Sequence, residues 1–186
     1  MKLYDSRMAP NPRRVRIFLA EKGIELPVVQ VDIGKAENRG EAFRAKNPLG
    51  GVPVLELDDG SCISESVAIC RYFEGVQPRP PLMGVDARDA AVVEMWNRRM
   101  ELEVFANIAN TFRHAHAFFK GRIAQVPAYG DVCREAAEKR LDWLDAELAG
   151  REFVAGERFT IADITALCGI DFGAISNIRI GDARKH

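Results

Sequence analysis

Residues 47–73, NPLGGVPVLELDDGSCISESVAICRYF, place three unlike demands within one short stretch of a 186-residue chain. A Gly50-Gly51 turn runs directly into Val52-Pro53, an apolar strand ends at the tight turn Asp58-Asp59-Gly60, and Glu65-Ser66 opens an apolar helix. Glycine supplies the backbone freedom such turns require. The stretch therefore predicts a strand hairpin followed by a helix, arranged around a ligand.

The segments before it complete a βαβ unit. Residues 2–5 and 27–33 are β-type runs, and between them Val15, Phe18 and Leu19 share a helical face, with Gly23 where a C-terminal cap belongs. Residues 52–57 and 61–63 read as the hairpin, with a helix from Glu65 to about Glu74. The predicted order is βαβαββα. From Gly75 to Gly84 three prolines and two glycines forbid a continuing helix and read as a stiff linker. Beyond it Val93, Trp96, Met100, Val104 and Ile108 recur at helical spacing, as do Ala137, Leu141, Leu144 and Leu148, and strand signals cease. The expected organisation is residues 1–76 as an α/β domain, 77–84 as linker and 85–186 as an all-helical domain. Thr160 and Asp163 have the spacing of a capping box, and Phe159 and Ile164 that of a hydrophobic staple.

Charge and composition remove several classes of function. Lys and Arg total 26 against 27 acidic residues, a net charge of −1, which offers no field to recruit nucleic acid or an anionic membrane. There is no secretory core at the start and no run of ~18 apolar residues able to span a bilayer, so the expectation is a cytoplasmic protein. Cys62, Cys70, Cys133 and Cys168 form no metal-binding spacing and read as buried thiols. His114 and His116, two apart, point to different faces of a helix, and no metal site is expected.

Residues 47–73 resemble the glutathione-binding half of the cytosolic glutathione S-transferases, with their wording NPxGKVPxLxxxDG and xESxAIxxYL. Phe159-Thr160-Ile161-Ala162-Asp163 resembles the capping motif of that family's helical domain. The resemblance extends over essentially the whole chain and implies a thioredoxin-like domain (βαβαββα) followed by a helical bundle. It also implies a homodimer and glutathione as co-substrate. Residues 178–186 end where relatives continue into a further helix, so the helical domain is expected to lack its last helix.

A thiol of pKa ~8.5 is only a few per cent ionised near neutral pH. Lowering it by two units requires ~2.7 kcal/mol of differential stabilisation. A helix N-terminus gives ~0.3–1 kcal/mol and a hydrogen bond to a charged acceptor ~1.5–3, so both are needed. In Ala9-Pro10-Asn11-Pro12-Arg13-Arg14, Pro12 suits the first helical position and Asn11 the cap before it. By resemblance, the serine-type catalytic hydroxyl falls at Ala9, which has none, whereas Asn11 matches the asparagine of the bacterial nu-class branch, whose amide donates to the sulfur. Asn11 is thus either donor and cap or cap alone, with Ser6 as the rival donor and Tyr4 behind it.

The resemblance further implies a cis Val52-Pro53 bond, with the Val52 backbone facing the cysteinyl part of glutathione. It assigns Ser66 to the γ-glutamyl carboxylate and Glu65 to the ammonium. Gly51 replaces the Lys or Arg of many relatives, so Asn38, or else Arg39 or Lys35, is expected to compensate at the glycyl carboxylate. The electrophile is expected between the domains, against Met100, Phe105, Phe112 and Arg113. Three functions follow: conjugation of glutathione to a small apolar electrophile, glutathione-dependent disulfide or peroxide reduction, and a non-catalytic interaction or ligand-binding module.

Overall fold

A computed structural model describes residues 1–181 and 184–186. The chain divides into two compact units, Met1–Leu82 and Met83–His186.

The first unit runs β1 (Lys2–Asp5), α1 (Pro10–Glu21), β2 (Val28–Gln30), a 3₁₀ turn (Glu37–Arg39), α2 (Glu41–Arg44), β3 (Val54–Glu56), β4 (Cys62–Ser64) and α3 (Ser66–Val76). The sheet order is β2-β1-β3-β4, with β1 parallel to β2 and antiparallel to β3, and β3 antiparallel to β4. This is the expected thioredoxin-like order, although β2 is shorter than the 27–33 run suggested. Tyr4 pairs with Val54 in register, and their face packs with Val31 and Phe43. Leu3 and Leu55 alternate to the other face and are enclosed. Helix α3 packs on β3 and β4 and against α1. At the end of α1 the Ile24 N–H reaches Leu19 O at 2.9 Å and the Gly23 N–H reaches Ala20 O at 3.0 Å, the two bonds of a Schellman cap.

Lys22 is a structural element that apolar periodicity does not reveal. Its ammonium is buried, pairs with Glu74 and donates to the carbonyls of Gln77 (2.8 Å) and Pro80 (2.6 Å). One cation thereby fastens the end of α1 to the end of α3 and to the proline-rich segment that follows. Val52-Pro53 and Arg79-Pro80 are both cis.

The second unit contains α4 (Ala87–Arg99), a π-helical stretch (Met100–Phe105), α5 (Ala106–Ala115), α6 (Pro127–Leu148) and α7 (Ile161–Gly173). Trp96, Met100, Val104 and Ile108 meet Ala137, Leu141 and Leu144 in its core, as the spacing predicted. The π stretch is not foreshadowed by that spacing. Helix α7 packs against it, and a Cβ at Gly169 would come within 2.9 Å of the Phe105 Cβ, so only glycine allows this approach. Buried Thr165 donates to buried Asn97 at 2.7 Å.

The capping box at α7 forms. Asp163 accepts from the Thr160 N–H at 2.8 Å and from the Val154 N–H at 2.7 Å, while the Ala162 N–H reaches Thr160 Oγ1 at 3.3 Å. The Phe159 ring meets Phe153 edge-on.

Candidate glutathione site

Helix α1 begins two residues earlier than the sequence suggests, at Pro10, with Ala9 in the N-cap position and no side-chain cap. This corrects the capping role expected of Asn11. Pro10 takes the first helical position and Pro12 the third, both places where a missing N–H costs nothing. Asn11 lies in the first turn with its side chain exposed. Its Oδ1 receives Arg14 Nη1 at 3.4 Å, and the same nitrogen donates to Ser66 Oγ at 2.6 Å. Arg14 is 1% exposed and Ser66 5%. The starts of α1 and α3 thus converge on one buried guanidinium.

Ser66 is the first residue of α3, and Glu65 stands in the N-cap position with φ 69° and ψ 117°. A non-glycine residue rarely adopts such a conformation, and surroundings that hold it there are characteristic of ligand sites. The Glu65 side chain is exposed and makes no capping bond.

The loop between α2 and β3 is braced from within. Asn47 Nδ2 donates to Gly51 O at 2.9 Å, the Leu49 N–H donates to Asn47 Oδ1 at 3.1 Å, and Asn38 Nδ2 donates to Gly50 O at 2.7 Å. Among the described residues the Val52 N–H and C=O enter no hydrogen bond, although Val54 two residues on is paired in the sheet. Val52 therefore presents a free main-chain edge immediately before cis Pro53. Asn38 spends one amide hydrogen on Gly50; Arg39 and Lys35 are exposed, and Lys35 pairs with Asp32 at 3.4 Å.

The rival donors are placed differently. Tyr4 donates its hydroxyl to Glu56 at 2.9 Å, in a cluster where Lys46, with Lys2 and Tyr4, holds the Glu56 carboxyl down to a pKa of about 2. That hydroxyl is committed to a carboxylate. Ser6 is buried at the end of β1, and its carbonyl accepts the Ala9 N–H at 2.9 Å. Asp5, next to it, is buried and ion-paired with Arg16, and accepts from Gln30 at 2.7 Å, which fixes the loop leading into α1.

Of the residues expected to meet the electrophile, Met100 is completely enclosed in the core of the second unit, because its position on the π stretch turns inward. Phe105 is also buried and packs on Phe172. Phe112 is half-buried, surrounded by Phe118, Phe119, Phe172 and His116, and Arg113 is exposed. His114 Nδ1 accepts the Val126 N–H and His116 Nδ1 the Phe118 N–H, both at 3.1 Å, so each ring serves the backbone. Among the described residues no three His, Cys, Asp or Glu side chains gather as a metal site, and no helix is long and apolar enough to cross a membrane. Cys70, Cys133 and Cys168 are buried and Cys62 half-buried, and none of the four is in a disulfide.

Residues 1–75 match the family described as glutathione S-transferase, N-terminal domain, and residues 108–186 match glutathione S-transferase, C-terminal domain. Glutathione S-transferase 2 of Saccharomyces cerevisiae is 36% identical over 184 residues, 97% of this chain and 79% of its own length. The chain belongs to the glutathione S-transferase family. The crystal structure of a glutathione S-transferase domain-containing protein from Marinobacter aquaeolei superposes with a TM-score of 0.93 at 42% identity, covering 98% of this chain and 91% of that one. Elongation factor 1-gamma of Prunus avium is 34% identical over 136 residues, 73% of this chain but 31% of its own. Membership in this glutathione S-transferase family therefore fixes the fold, while relatives carry names from both transferase and translation-factor groups.

Proposed function

We propose that this protein is a cytoplasmic, homodimeric glutathione transferase of nu- or theta-like type. It binds glutathione on the first unit, stabilises the thiolate and adds it to a small apolar electrophile. The observation that carries the reading is the meeting of Asn11 and Ser66 on Arg14 Nη1, which brings the candidate sulfur donor and the candidate carboxylate donor into one site.

In this reading the Val52 backbone pairs with the cysteinyl residue as an added strand would. Ser66 and the α3 start hold the γ-glutamyl carboxylate, Glu65 the ammonium, and the second amide hydrogen of Asn38 the glycyl carboxylate. Asn11 donates to the sulfur. Phe105, Phe112 and Arg113 are the residues proposed to meet the electrophile.

Retention on immobilised glutathione tests binding, and parallel turnover assays with an aryl halide and a small disulfide test the reaction. Retention with aryl-halide turnover is expected. Turnover of the disulfide alone would favour glutathione-dependent reduction, which the asparagine at the α1 start also suits. Retention without turnover would favour a non-catalytic module, the reading supported by Ala9 and by the elongation factor 1-gamma relatives. Sedimentation at micromolar concentration should give twice the 20.7 kDa chain mass.

A further inference from the structure

We infer that Arg14 is a positioning residue: one buried guanidinium sets the hydrogen-bond direction of both Asn11 and Ser66 and so couples the two ends of the glutathione site. The inference rests on the glutathione reading above.

A guanidinium has only donors. An oxygen that accepts from it must turn its own hydrogens elsewhere. Ser66 Oγ accepts from Arg14 Nη1 at 2.6 Å, so the hydroxyl hydrogen is left for an acceptor beyond the protein, as a carboxylate would provide. Asn11 has an oxygen and an NH₂ that could exchange places; the cation 3.4 Å from Oδ1 draws the oxygen inward and leaves the NH₂ outward. That orientation suits a thiolate, which needs a donor. The reverse orientation would present a carbonyl oxygen to it and repel it.

Burial makes the device effective. Arg14 is 1% exposed, and hydrogen bonds are stronger where water is excluded. Asn11 and Arg14 are three apart on α1, hence on one helix face, and Ser66 heads α3, so the arrangement needs only two helix starts held side by side. Because both oxygens draw on Nη1, losing one partner lets the nitrogen shift towards the other. The contributions of Asn11 and Ser66 are then not independent. Lysine cannot replace this geometry, having a compact ammonium in place of a planar fork.

The test is a double-mutant cycle of Asn11→Ala and Ser66→Ala, in the native protein and with Arg14→Lys. Glutathione affinity is measured by calorimetry and the pKa of the bound thiol by ultraviolet titration. With Arg14 present, the double variant should differ in affinity by about threefold or more from the product of the two single effects. Arg14→Lys should raise the bound thiol's pKa and bring the two effects close to simple multiplication. Simple multiplication with Arg14 in place, or an unchanged thiol pKa in a folded Arg14→Lys protein, would overturn the inference and leave the glutathione reading standing. Absence of glutathione binding by the native protein would overturn both. If Arg14→Lys fails to fold, the cycle on the native background decides: coupling of Asn11→Ala and Ser66→Ala in both the affinity and the thiol's pKa is expected, and independent effects in either would overturn the inference.

Discussion

Asn38 and Gly50 are joined by a 2.7 Å hydrogen bond from side-chain amide to main-chain carbonyl, which ties the 3₁₀ turn after β2 to the loop that carries Val52. The fit is close: Gly50 has φ 68°, and a Cβ there would lie 2.9 Å from the Asn38 carbonyl oxygen. Asn38→Ala should remove about 1 kcal/mol of local stabilisation and weaken glutathione binding. Asn38→Asp should be worse, because a carboxylate would oppose the Gly50 carbonyl. Gly50→Ala combines an unfavourable φ with a clash and should be the most damaging of the three. Calorimetric titration with glutathione, together with thermal melting, gives the order; Asn38→Asp binding better than Asn38→Ala would refute this role.

Glu65 holds φ 69° without the glycine that such a conformation favours. Glu65→Gly should raise folding stability by about 1 kcal/mol as the strain is relieved, less a part returned through the greater flexibility of glycine in the unfolded chain. The same change removes the proposed partner of the glutathione ammonium. Stability and affinity should therefore move in opposite directions, checked by denaturant melts beside calorimetry. A fall in both would mean that the conformation is sustained by the side chain itself.

A pH-dependent contribution is expected in the second unit. Arg158 meets Asp89 with both guanidinium ends, and with the Val85 N–H at 2.8 Å it holds the Asp89 carboxyl below its ordinary value. A carboxyl lowered in the folded state stabilises above its unfolded pKa of ~3.9, and the contribution disappears as pH falls through the folded value. Asp89→Asn should cost roughly 1 kcal/mol or less at pH 7, since the pair is partly exposed. The difference between native and variant urea midpoints should narrow in acid; a gap that widens there would contradict the assignment.

Much of this molecule is legible from local chemistry. The Thr160–Asp163 capping box, the Asp59-Gly60 turn and the bundle spacing from Trp96 to Ile108 each depend on neighbours within a turn or two, and each forms as read. The start of α1 is misread by two residues because Pro10 and Pro12 are both acceptable in a first helical turn, so local preference does not choose between them. Arg14, Lys22 and the Asn38–Gly50 clamp escape a sequence reading for another reason. Their partners are 52, 52 and 12 residues distant, and a lone polar residue on a helix ordinarily means solvent. The π stretch is invisible because its side chains keep an ordinary helical spacing while the backbone gains a wider turn.

The mechanism turns on Asn11, and the helix start found at Pro10 makes its test cleaner. Because Ala9 stands in the N-cap position and Asn11 is exposed, Asn11→Ala removes no cap, and melting should shift by roughly 0.5 kcal/mol or less. Any change in the bound thiol then reports chemistry. A hydrogen bond to a charged acceptor contributes ~1.5–3 kcal/mol, so losing it should raise the thiol pKa by about one to two units. Asn11→Asp should raise it further. A carboxylate in the first turn of α1, three residues from Arg14, suits the helix and the guanidinium, yet its negative charge opposes a thiolate. The Asp variant should consequently be as stable as the native protein, or more so, and the poorest at ionising glutathione. Ultraviolet titration of the bound thiol across native, Ala and Asp proteins separates the possibilities. A common pKa in all three would remove Asn11 from the chemistry and make Ser6, buried at the end of β1, the next residue to replace.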